Sequence, residues 1–574
     1  MVNVLDELKD AWMSSHPCVT AVNISYGSSA TLAAQVVSGA PADVFISASD
    51  ATMNTVSGPH GSGRPSSRTP NPSTQSMPPS RITATLVPGQ PWWARRSSTV
   101  QCSGCSAMRT GGTSPLATAF LRAVGSASDV MLLLLHTVQD DENRVPPEVL
   151  MTLDLDLIRS HFPALSLTHD DRPRVYLDNP AGTQVPLAVL DRMRDTMIEH
   201  NANMHGNFRT SRVATALAHE VHEAMADFYH AASPDEIVFG PNMTTLTFMM
   251  TRVLGPLFQE GDELITTHME HDGNNTPWRT MAAERGMVVK TLPFNRDTYE
   301  FDLDELDSLI TPRTRFAALN YASNILGTIN PIPEMVRRLK AAGALTYVDA
   351  VQYAPHGPID VQALGADMLV SSTYKYYGPH LGVLWGRRDL LDRLHAYKLR
   401  VVPDVPPNKF ETGCQSLEGQ AGVLGAIEYL EWLGRTMGAD HVSSAAGVPQ
   451  RTAHIHAAMA AMVEYEHALS ARLIDGLQAL PDVRVHGITD HASFARRVPT
   501  VSFSHPRLVP ADMANFLDAH GVYVWNGHSY ALPVIEWLGL AEVGGVVRIG
   551  PTHYNTLDEV DTAVGLVGEF LGSL

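Results

Sequence analysis

Three consecutive segments decide the fold: RFAALNYAS (residues 315–323), IPEMVRRLKAAG (332–343) and LTYVDA (345–350). The first and third are short β-rich runs, and the second has a helical pattern that begins near a proline and ends at a glycine. A strand, a helix and a strand in this order predict a βαβ unit with two parallel strands. We therefore expect an α/β fold.

The same alternation extends along most of the chain. Further β-rich runs are DEIVFG (235–240), DELITTHME (262–270), GMVVKTLPF (286–294) and DMLVSSTYK (367–375). Beyond residue 405 the helical patterns lengthen, as in residues 422–434 and 460–480. We expect an N-terminal arm and a large domain with a mostly parallel sheet over residues 139–405. A small C-terminal α+β domain should follow over residues 406–574.

Composition excludes several classes of protein. The 574 residues are 44% hydrophobic, enough for a large core, and the formal net charge of −19 argues against broad binding to nucleic-acid phosphates. The start of the chain lacks the features of a secretory signal, and no apolar run approaches the length of a membrane-spanning helix. Four cysteines are too few for a disulfide framework. We expect a cytoplasmic protein with no nucleic-acid or membrane partner.

The first 138 residues break the alternation. Residues 1–56 contain a short fragment with strand and helix patterns, whereas residues 57–138 are rich in Pro, Ser and Gly and have no apolar period. We expect the second stretch to be disordered or misjoined. Cys102 and Cys105 have the spacing of half a zinc site, but no further ligands accompany them, so no metal site is predicted.

Polar side chains follow the predicted strands at the end where open α/β sheets place their sites. The turn at residues 241–245 opens a helix and suits either a phosphate or a polar helix cap. Asp349 follows an apolar strand, so it either caps the next helix or holds a buried heterocyclic nitrogen protonated. Lys375 lies among tyrosines, an environment able to lower its pKa and make it a Schiff-base nucleophile.

Together these segments closely resemble the class V aminotransferase family of pyridoxal 5′-phosphate (PLP) enzymes, in particular its cysteine desulfurase-like branch, from about residue 150 to 574. The motifs occur in the family's order: YLDNPAGTQVP (176–186), PNMTT (241–245), EH (270–271), SNILGTINP (323–331), VDAVQYAPH (348–356), DMLVSSTYKYYGPHLG (367–382), FETG (410–413) and VVRIGPTHYNTLDEVD (546–561). The resemblance implies the aspartate aminotransferase-like fold (fold type I), PLP as cofactor, a small amino-acid substrate and a homodimer.

The resemblance also implies roles for individual residues. Lys375 would form the internal aldimine and move the Cα proton, Asp349 would pair with the pyridinium nitrogen and stabilise a quinonoid intermediate, and His271 would stack on the ring. Arg548 would hold the substrate carboxylate, and Asn179 would line the substrate pocket. Further positions expected at the cofactor are Met243, Thr244, Asn324, Gln352, Ser372, Tyr374 and Cys414, the last reaching the phosphate of a partner subunit.

One departure from the family bears on the reaction. Desulfurases carry a sulfur-accepting thiol in a loop of the type GHHCAQP, whereas GHSYALP (527–533) has Tyr530 in that place. A phenol forms no persulfide, so the residues favour lyase, epimerase or transaminase chemistry. A true cysteine desulfurase with another sulfur acceptor and a non-catalytic PLP-binding relative remain the alternatives. Cys414 is expected to be a small buried cysteine rather than that acceptor.

A second resemblance concerns residues 26–49, which are similar to periplasmic molybdate-binding proteins. Ser28 and Ser29 would then help to bind an oxyanion. The rival interpretation of the chain is therefore an oxyanion-binding receptor. The fragment lacks that family's first strand and second lobe, so we expect no molybdate binding.

Overall fold

The computed structural model of the protein describes residues 153–442 and 448–574. The expectations for residues 1–56 and 57–138 lie outside the described residues. Three helices and three short strands come first: α1 Leu155–Ser160, β1 Thr168–His169, β2 Arg172–Pro173, β3 Val175–Tyr176, α2 Leu187–Glu199 and α3 Arg209–Tyr229. Within the described residues, none of the helices is long and apolar enough to cross a bilayer.

A seven-stranded sheet forms the centre of the large domain. Its strands are β4 Ile237–Gly240, β5 Glu263–Thr267, β6 Val288–Leu292, β7 Thr314–Asn320, β8 Leu345–Asp349, β9 Met368–Ser372 and β10 Gly382–Gly386. They lie in the order β4-β10-β9-β8-β7-β5-β6, and β10 runs antiparallel to both of its neighbours. The other strand pairs are parallel, which confirms the predicted mostly parallel sheet.

α-Helices follow every strand of this sheet except β9, in agreement with the predicted alternation. They are α4 Met243–Leu254, α5 Thr276–Arg285, α6 Leu303–Leu309, α7 Ile332–Ala341, α8 Val361–Leu364 and α9 Arg388–Arg393. In α7 the buried residues Ile332, Met335, Val336 and Leu339 are spaced by three or four positions, so one face of the helix packs on the core. The chain then turns at Gly343, whose φ of +83° few other residues tolerate.

The C-terminal part has an antiparallel sheet covered by longer helices. Its elements are α10 Leu417–Met437, α11 Gln450–Gln478, β11 Arg484–His486, β12 Val501–Ser504, α12 Pro510–Ala519, β13 Val522–Tyr523, β14 Trp525–Gly527, α13 Leu532–Leu538, β15 Val546–Ile549 and α14 Leu557–Ser573. The sheet order is β11-β12-β15-β14, with antiparallel pairing throughout. This is the expected α+β arrangement.

The N-terminal arm is fastened to this C-terminal sheet. Strand β3 pairs with β13 in parallel, and Asp178 forms a single β-bridge with Gly550. The Gly550 N–H donates to the Leu177 carbonyl oxygen at 2.7 Å. The arm therefore lies beside the end of β15, which carries Arg548.

Candidate active site

A cavity of about 150 Å³ opens at the carboxyl ends of five strands, β4, β5, β7, β8 and β9. Holding one water takes only about 10–15 Å³, so this cavity has room for a larger group. Its lining residues are Asn242, Met243, Thr244, His271, Asn320, Ala322, Asn324, Asp349, Val351, Gln352, Ser372, Tyr374 and Lys375. The structure thus brings together most of the residues that the sequence singled out.

Lys375 ends a short 3-10 turn, Thr373–Lys375, that follows β9. Its Nζ donates to the carbonyl oxygen of Pro180 in the N-terminal arm. Burial and then the nearby Arg548 charge lower the pKa of the lysine to about 7, against a smaller opposing effect of Asp178 and Asp349. A large share of the amine is therefore neutral near pH 7, in agreement with the depressed pKa expected from the sequence.

Asp349 is the last residue of β8 and reaches the cavity from the core. Burial raises the pKa of its carboxyl to about 6, and Lys375 acts in the opposite direction. Its Oδ1 accepts a hydrogen bond from the Val351 N–H at 2.9 Å. The carboxylate thus accepts a hydrogen bond from the turn that follows β8 and also lines the cavity. Its pairing with a heterocyclic nitrogen stays a prediction.

His271 is a neutral imidazole at the end of β5. Burial, followed by the charges of Lys375 and Arg548, lowers its pKa to about 3. Its Nδ1 accepts from the Gly273 N–H at 3.0 Å, so the proton lies on Nε2. The ring of Tyr530 lies nearly parallel to it, with the centroids 5.7 Å apart.

The start of α4 lines the cavity through residues 242–244. The Asn242 side chain accepts from the Thr245 N–H at 2.8 Å, so it is a helix cap, and the Met243 N–H donates to Ser372 Oγ at 3.1 Å. A Cβ at Gly382 would lie 2.4 Å from the carbonyl carbon of Asn242, so only glycine allows β10 this close to the turn. The turn at residues 241–245 therefore contains a polar helix cap and leads into the N-terminal end of α4, the end of a helix that suits a phosphate.

Asn324, Gln352 and Tyr374 line the walls of the cavity. Asn324 Nδ2 donates to the Ser529 carbonyl oxygen at 2.8 Å, and Gln352 Nε2 donates to Thr500 Oγ1 at 2.9 Å. The other amide atom of Gln352, Oε1, is buried without a partner. Tyr374 lies under the lysine, with Lys375 Nζ 5.4 Å from its ring centroid.

Arg548 and Asn179 lie behind the cavity wall. Arg548 Nη2 donates to Asp178 Oδ1 at 3.0 Å and Nη1 donates to the Asn324 carbonyl oxygen at 3.1 Å, whereas its buried Nε has no partner. Burial lowers the pKa of the guanidinium, opposed by Asp178. Asn179 Nδ2 donates to the Gly550 carbonyl oxygen at 2.7 Å. Asn324 therefore connects Arg548 to the cavity.

Cys414 does not line this cavity. Its side chain is exposed, and Sγ lies 3.8 Å from Asn203 Oδ1. The expectation of a buried cysteine was wrong because the thiol follows Gly413, which has a φ of +76°, in a turn flanked by polar residues.

Two buried residues at or near the cavity, Glu270 and Asn320, were given no role from the sequence. Glu270 is fully buried and accepts hydrogen bonds from the Thr267 hydroxyl, the Asn274 amide and the Asn320 N–H. Burial raises the pKa of its carboxyl well above the ordinary value, and Asp349 adds to this. Asn320 itself lines the cavity. Asn320 ends β7 and Glu270 lies three residues after β5, so their positions at and just beyond strand ends are the signal that could have found them.

The loop that carries Tyr530 is held against the site. Ser529 and Tyr530 both have positive φ angles, +45° and +58°. The carbonyl oxygen of Tyr530 accepts from the Asp272 N–H at 2.6 Å, while its side chain is 64% exposed. The backbone is thus fixed beside His271, and the phenol faces outward.

The cavity with its lysine, the aspartate at the adjacent strand end and the sheet order define a PLP-type α/β enzyme. The sequence profile of class V aminotransferases matches residues 175–446 and 433–563, and the chain belongs to this family. Enzymes of the family depend on PLP, which confirms the expected enzyme class, branch and cofactor.

Individual relatives are cysteine desulfurases. One from Dickeya dadantii is 33% identical over 425 residues, which cover 71% of this chain and 95% of that protein. A probable cysteine desulfurase of Streptomyces coelicolor is 33% identical over 431 residues, covering 72% and 96%. The apo structure of a cysteine desulfurase from Thermococcus onnurineus matches with a TM-score of 0.64 at 28% identity, over 76% of this chain and all of that one. These matches confirm fold type I.

The N-terminal end has a separate similarity. Residues 1–71 match the profile of bacterial extracellular solute-binding proteins. This agrees with the resemblance seen for residues 26–49, which lie outside the described part of the chain.

Proposed function

We propose that the protein is a PLP-dependent enzyme that removes the Cα proton of an amino acid with Lys375 and completes its reaction without a persulfide at the 527–533 loop. The observation that carries this proposal is a buried lysine that lines the cavity together with Asp349 and lies within the electrostatic influence of the Arg548–Asp178 pair, with a pKa lowered to about 7. A lysine in this state can act as both nucleophile and base near neutral pH.

The residues around the cavity fit PLP. The N–H groups at the start of α4 and the Ser372 hydroxyl would hold its phosphate, and Asp349 would hold its ring nitrogen. The unpartnered Oε1 of Gln352 marks a buried amide that still has room for a polar neighbour. When bound, PLP supplies an electron sink that makes the Cα–H bond of the substrate acidic.

Arg548 is equipped to bind the substrate carboxylate. Two of its donors are taken by Asp178 and the Asn324 carbonyl oxygen, which fix the plane of the guanidinium, and the buried Nε is unpaired. A carboxylate placed at Nε would remove an unsatisfied donor from the interior. Asp178 keeps the positive charge of the arginine partly balanced before substrate arrives.

Tyr530 lies on the loop beside the neutral His271, at the edge of the site. The peptide of Tyr530 is tied to Asp272, so its side chain occupies a fixed place next to the imidazole. A phenol there cannot take sulfur from a substrate. This supports an outcome such as elimination, epimerisation or transamination after the proton leaves Cα.

A second candidate is a cysteine desulfurase that uses a different sulfur acceptor. Two observations favour it: the relatives bear that name at 33% identity, and the Cys414 thiol is exposed rather than buried. In this case cysteine would yield alanine while its sulfur passes to a thiol, whereas elimination would yield pyruvate, ammonia and sulfide.

The products distinguish these reactions. We would supply PLP and single amino acids to the purified protein and measure alanine, pyruvate, sulfide, keto acids and loss of chirality. Pyruvate with sulfide from cysteine, unchanged in Cys414→Ser, supports elimination. Alanine that disappears in Cys414→Ser supports the desulfurase, and no product with any amino acid indicates a non-catalytic relative.

The expected homodimer also belongs to this proposal. Large apolar side chains are exposed on two segments. The first is residues 187–198, which includes Ile198 at 73% exposure, and the second is residues 397–405, which includes Val401 at 82%. Soluble monomers rarely leave such groups clustered in water. The contact of Cys414 with Asn203 places the predicted phosphate-reaching loop beside the first segment. Sedimentation of the holoenzyme at twice the monomer mass would support the dimer, and a monomer would refute it.

A further inference from the structure

A chain of buried hydrogen bonds lies behind the turn that carries Lys375. Tyr429 Oη lies 2.6 Å from His553 Nε2, and His553 Nδ1 lies 3.0 Å from Tyr377 Oη. Tyr377 Oη is also 3.1 Å from Thr552 Oγ1, which donates to Glu466 Oε1 at 2.8 Å. All five side chains are buried. None of them lines the cavity.

The donors and acceptors of this chain follow from its chemistry. Because Thr552 gives its proton to Glu466, its oxygen accepts from the Tyr377 hydroxyl. The Tyr377 oxygen then accepts from His553 Nδ1–H, and His553 Nε2 accepts from the Tyr429 hydroxyl. Burial lowers the pKa of His553 to about 3, so the ring is neutral with one donor and one acceptor. Every hydroxyl in the chain thereby has a partner.

Both carboxylate oxygens of Glu466 have hydrogen-bond partners in addition to the Thr552 hydroxyl. Glu466 Oε2 lies 2.9 Å from His356 Nδ1, and the backbone N–H of His553 donates to Glu466 Oε1 at 3.2 Å. His356 comes from the large domain and Glu466 from α11. The hydrogen-bonded chain is therefore anchored at its acidic end by groups from two parts of the fold.

Tyr377 has a backbone conformation that needs such support. Its φ of +69° is rare for a bulky side chain and persists only where the surroundings hold it. The Tyr377 N–H donates to Thr183 Oγ1 at 2.8 Å, and the Thr183 N–H donates to the Tyr374 carbonyl oxygen at 3.0 Å. Lys375 lies between these two anchored residues.

We propose that Tyr377, Thr552 and His553 are positioning residues for Lys375. Their hydrogen bonds hold Tyr377 in the left-handed conformation and thereby fix the turn that presents the lysine amine to the cavity. The proposal rests on the proposed function, in which Lys375 is the reacting lysine. What it concerns is a property of the apoprotein, namely how the turn around Lys375 holds the amine of that residue.

The test measures the lysine directly. The apoprotein is labelled briefly with acetic anhydride across a pH series, and acetylation of Lys375 is quantified by mass spectrometry. Because burial is the largest cause of the low pKa, a loosened turn admits water and raises the labelling midpoint. We expect a rise of about 1 pH unit in Tyr377→Phe and Thr552→Val. Thr552→Ser, which keeps the hydroxyl, should restore the wild-type midpoint.

Tyr299→Phe is the matched control. Tyr299 is also buried, has a φ of +57° and places its hydroxyl 3.4 Å from His486 Nδ1, but it does not line the cavity. The Tyr299→Phe variant should have a lower melting temperature than the wild type and the same pH midpoint for acetylation of Lys375. If Thr552→Val does not fold, Tyr377→Phe, which removes one oxygen atom, decides the test.

The proposal is overturned if both variants melt earlier, as Tyr299→Phe does, yet keep the wild-type labelling midpoint. Failure of the proposed function would look different. In that case the wild-type protein would bind no PLP and give no product, whatever the labelling midpoints are.

Discussion

Arg548 Nη2 lies 3.0 Å from Asp178 Oδ1, and this buried ion pair joins strand β15 to the N-terminal arm. The same arm places the Pro180 carbonyl oxygen on Lys375 Nζ. The proposed carboxylate-binding residue and the lysine are thus held by one short segment. Displacement of that segment would disturb both groups together.

Arg548→Lys should weaken substrate binding more than turnover. Lysine keeps the charge beside Asp178 but loses the planar donors, and a hydrogen bond to a charged group contributes about 1.5–3 kcal/mol, so KM should rise about 10- to 100-fold. Steady-state kinetics with the best substrate give both constants. Arg387→Lys, beside Asp367 and outside the cavity, is the control. A fall in kcat with KM unchanged would contradict the assignment.

Asp349 should make the stability of the apoprotein depend on pH. Burial raises its pKa from 3.8 to about 6, so the folded state holds the proton more tightly than the unfolded chain. Stability should therefore fall as the pH rises from about 4 to about 6. Above that range Asp349→Asn should be more stable than the wild type by about 3 kcal/mol, and below about pH 4 the two should be equal.

Denaturant unfolding of the wild-type and Asp349→Asn apoproteins, measured above about pH 6 and below about pH 4, checks this expectation. The exposed Asp404→Asn serves as the control and should follow the wild type. In the holoenzyme the same Asp349→Asn change should lower turnover by about 10²–10³-fold, the scale seen when one preorganised electrostatic group is lost. Equal turnover in variant and wild type would remove Asp349 from the site.

Lys375→Ala should abolish the visible absorbance of bound cofactor and lower turnover by about 10²–10⁴-fold, the usual contribution of a positioned acid–base group. Absorbance spectra after addition of PLP and removal of the excess measure the first effect. Lys398→Ala, whose amine donates to the Val402 carbonyl oxygen, should keep the spectrum. A wild-type spectrum in Lys375→Ala would show that another amine carries the cofactor.

Tyr530→Cys should introduce sulfur-accepting chemistry at the loop. The backbone there is held by Asp272, so the new thiol would stand beside His271. After incubation with L-cysteine we expect a persulfide on residue 530 by mass spectrometry and more alanine relative to pyruvate. Tyr530→Ser, of similar size but without a thiol, should leave the products as in the wild type. No persulfide in the cysteine variant would argue against the placement of the loop.

Deletion of residues 1–128 should leave PLP binding intact. Among the residues that the structure describes, those lining the cavity fall between positions 242 and 375, and Asn179 and Arg548 also follow the deleted segment. Spectrophotometric titration with PLP compares the shortened chain with the full one. Loss of binding would make the front segment a working part of the enzyme.

Local patterns in the sequence were sufficient for much of this arrangement. The β-rich run 345–350 and its neighbours predicted parallel strands, and polar residues just after them, such as Asp349 and Lys375, do converge on one cavity. Strand-end positions can be found this way because parallel strands share an edge. The individual roles of these residues came from the family resemblance and stay predictions.

Other features depend on contacts between distant parts of the chain. Periodicity does not reveal that Asp178 meets Arg548 or that Tyr530 lies next to His271, since each pair joins separate elements. The buried Glu270 carboxylate accepts hydrogen bonds from Asn320 and Asn274, and these contacts are visible only in the folded structure. The exposure of Cys414 likewise follows from a glycine turn rather than from residue type.

The bridge between Asp178 and Gly550 has a consequence for synthesis. A ribosome produces the arm early and β15 only after the cavity-lining strands, because translation proceeds from the N-terminal end. A nascent chain that has reached residue 400 already contains every residue lining the cavity but lacks the arginine proposed to select the substrate. If Arg548 has the proposed role, the growing polypeptide can bind its amino-acid substrate only after β15 has been made.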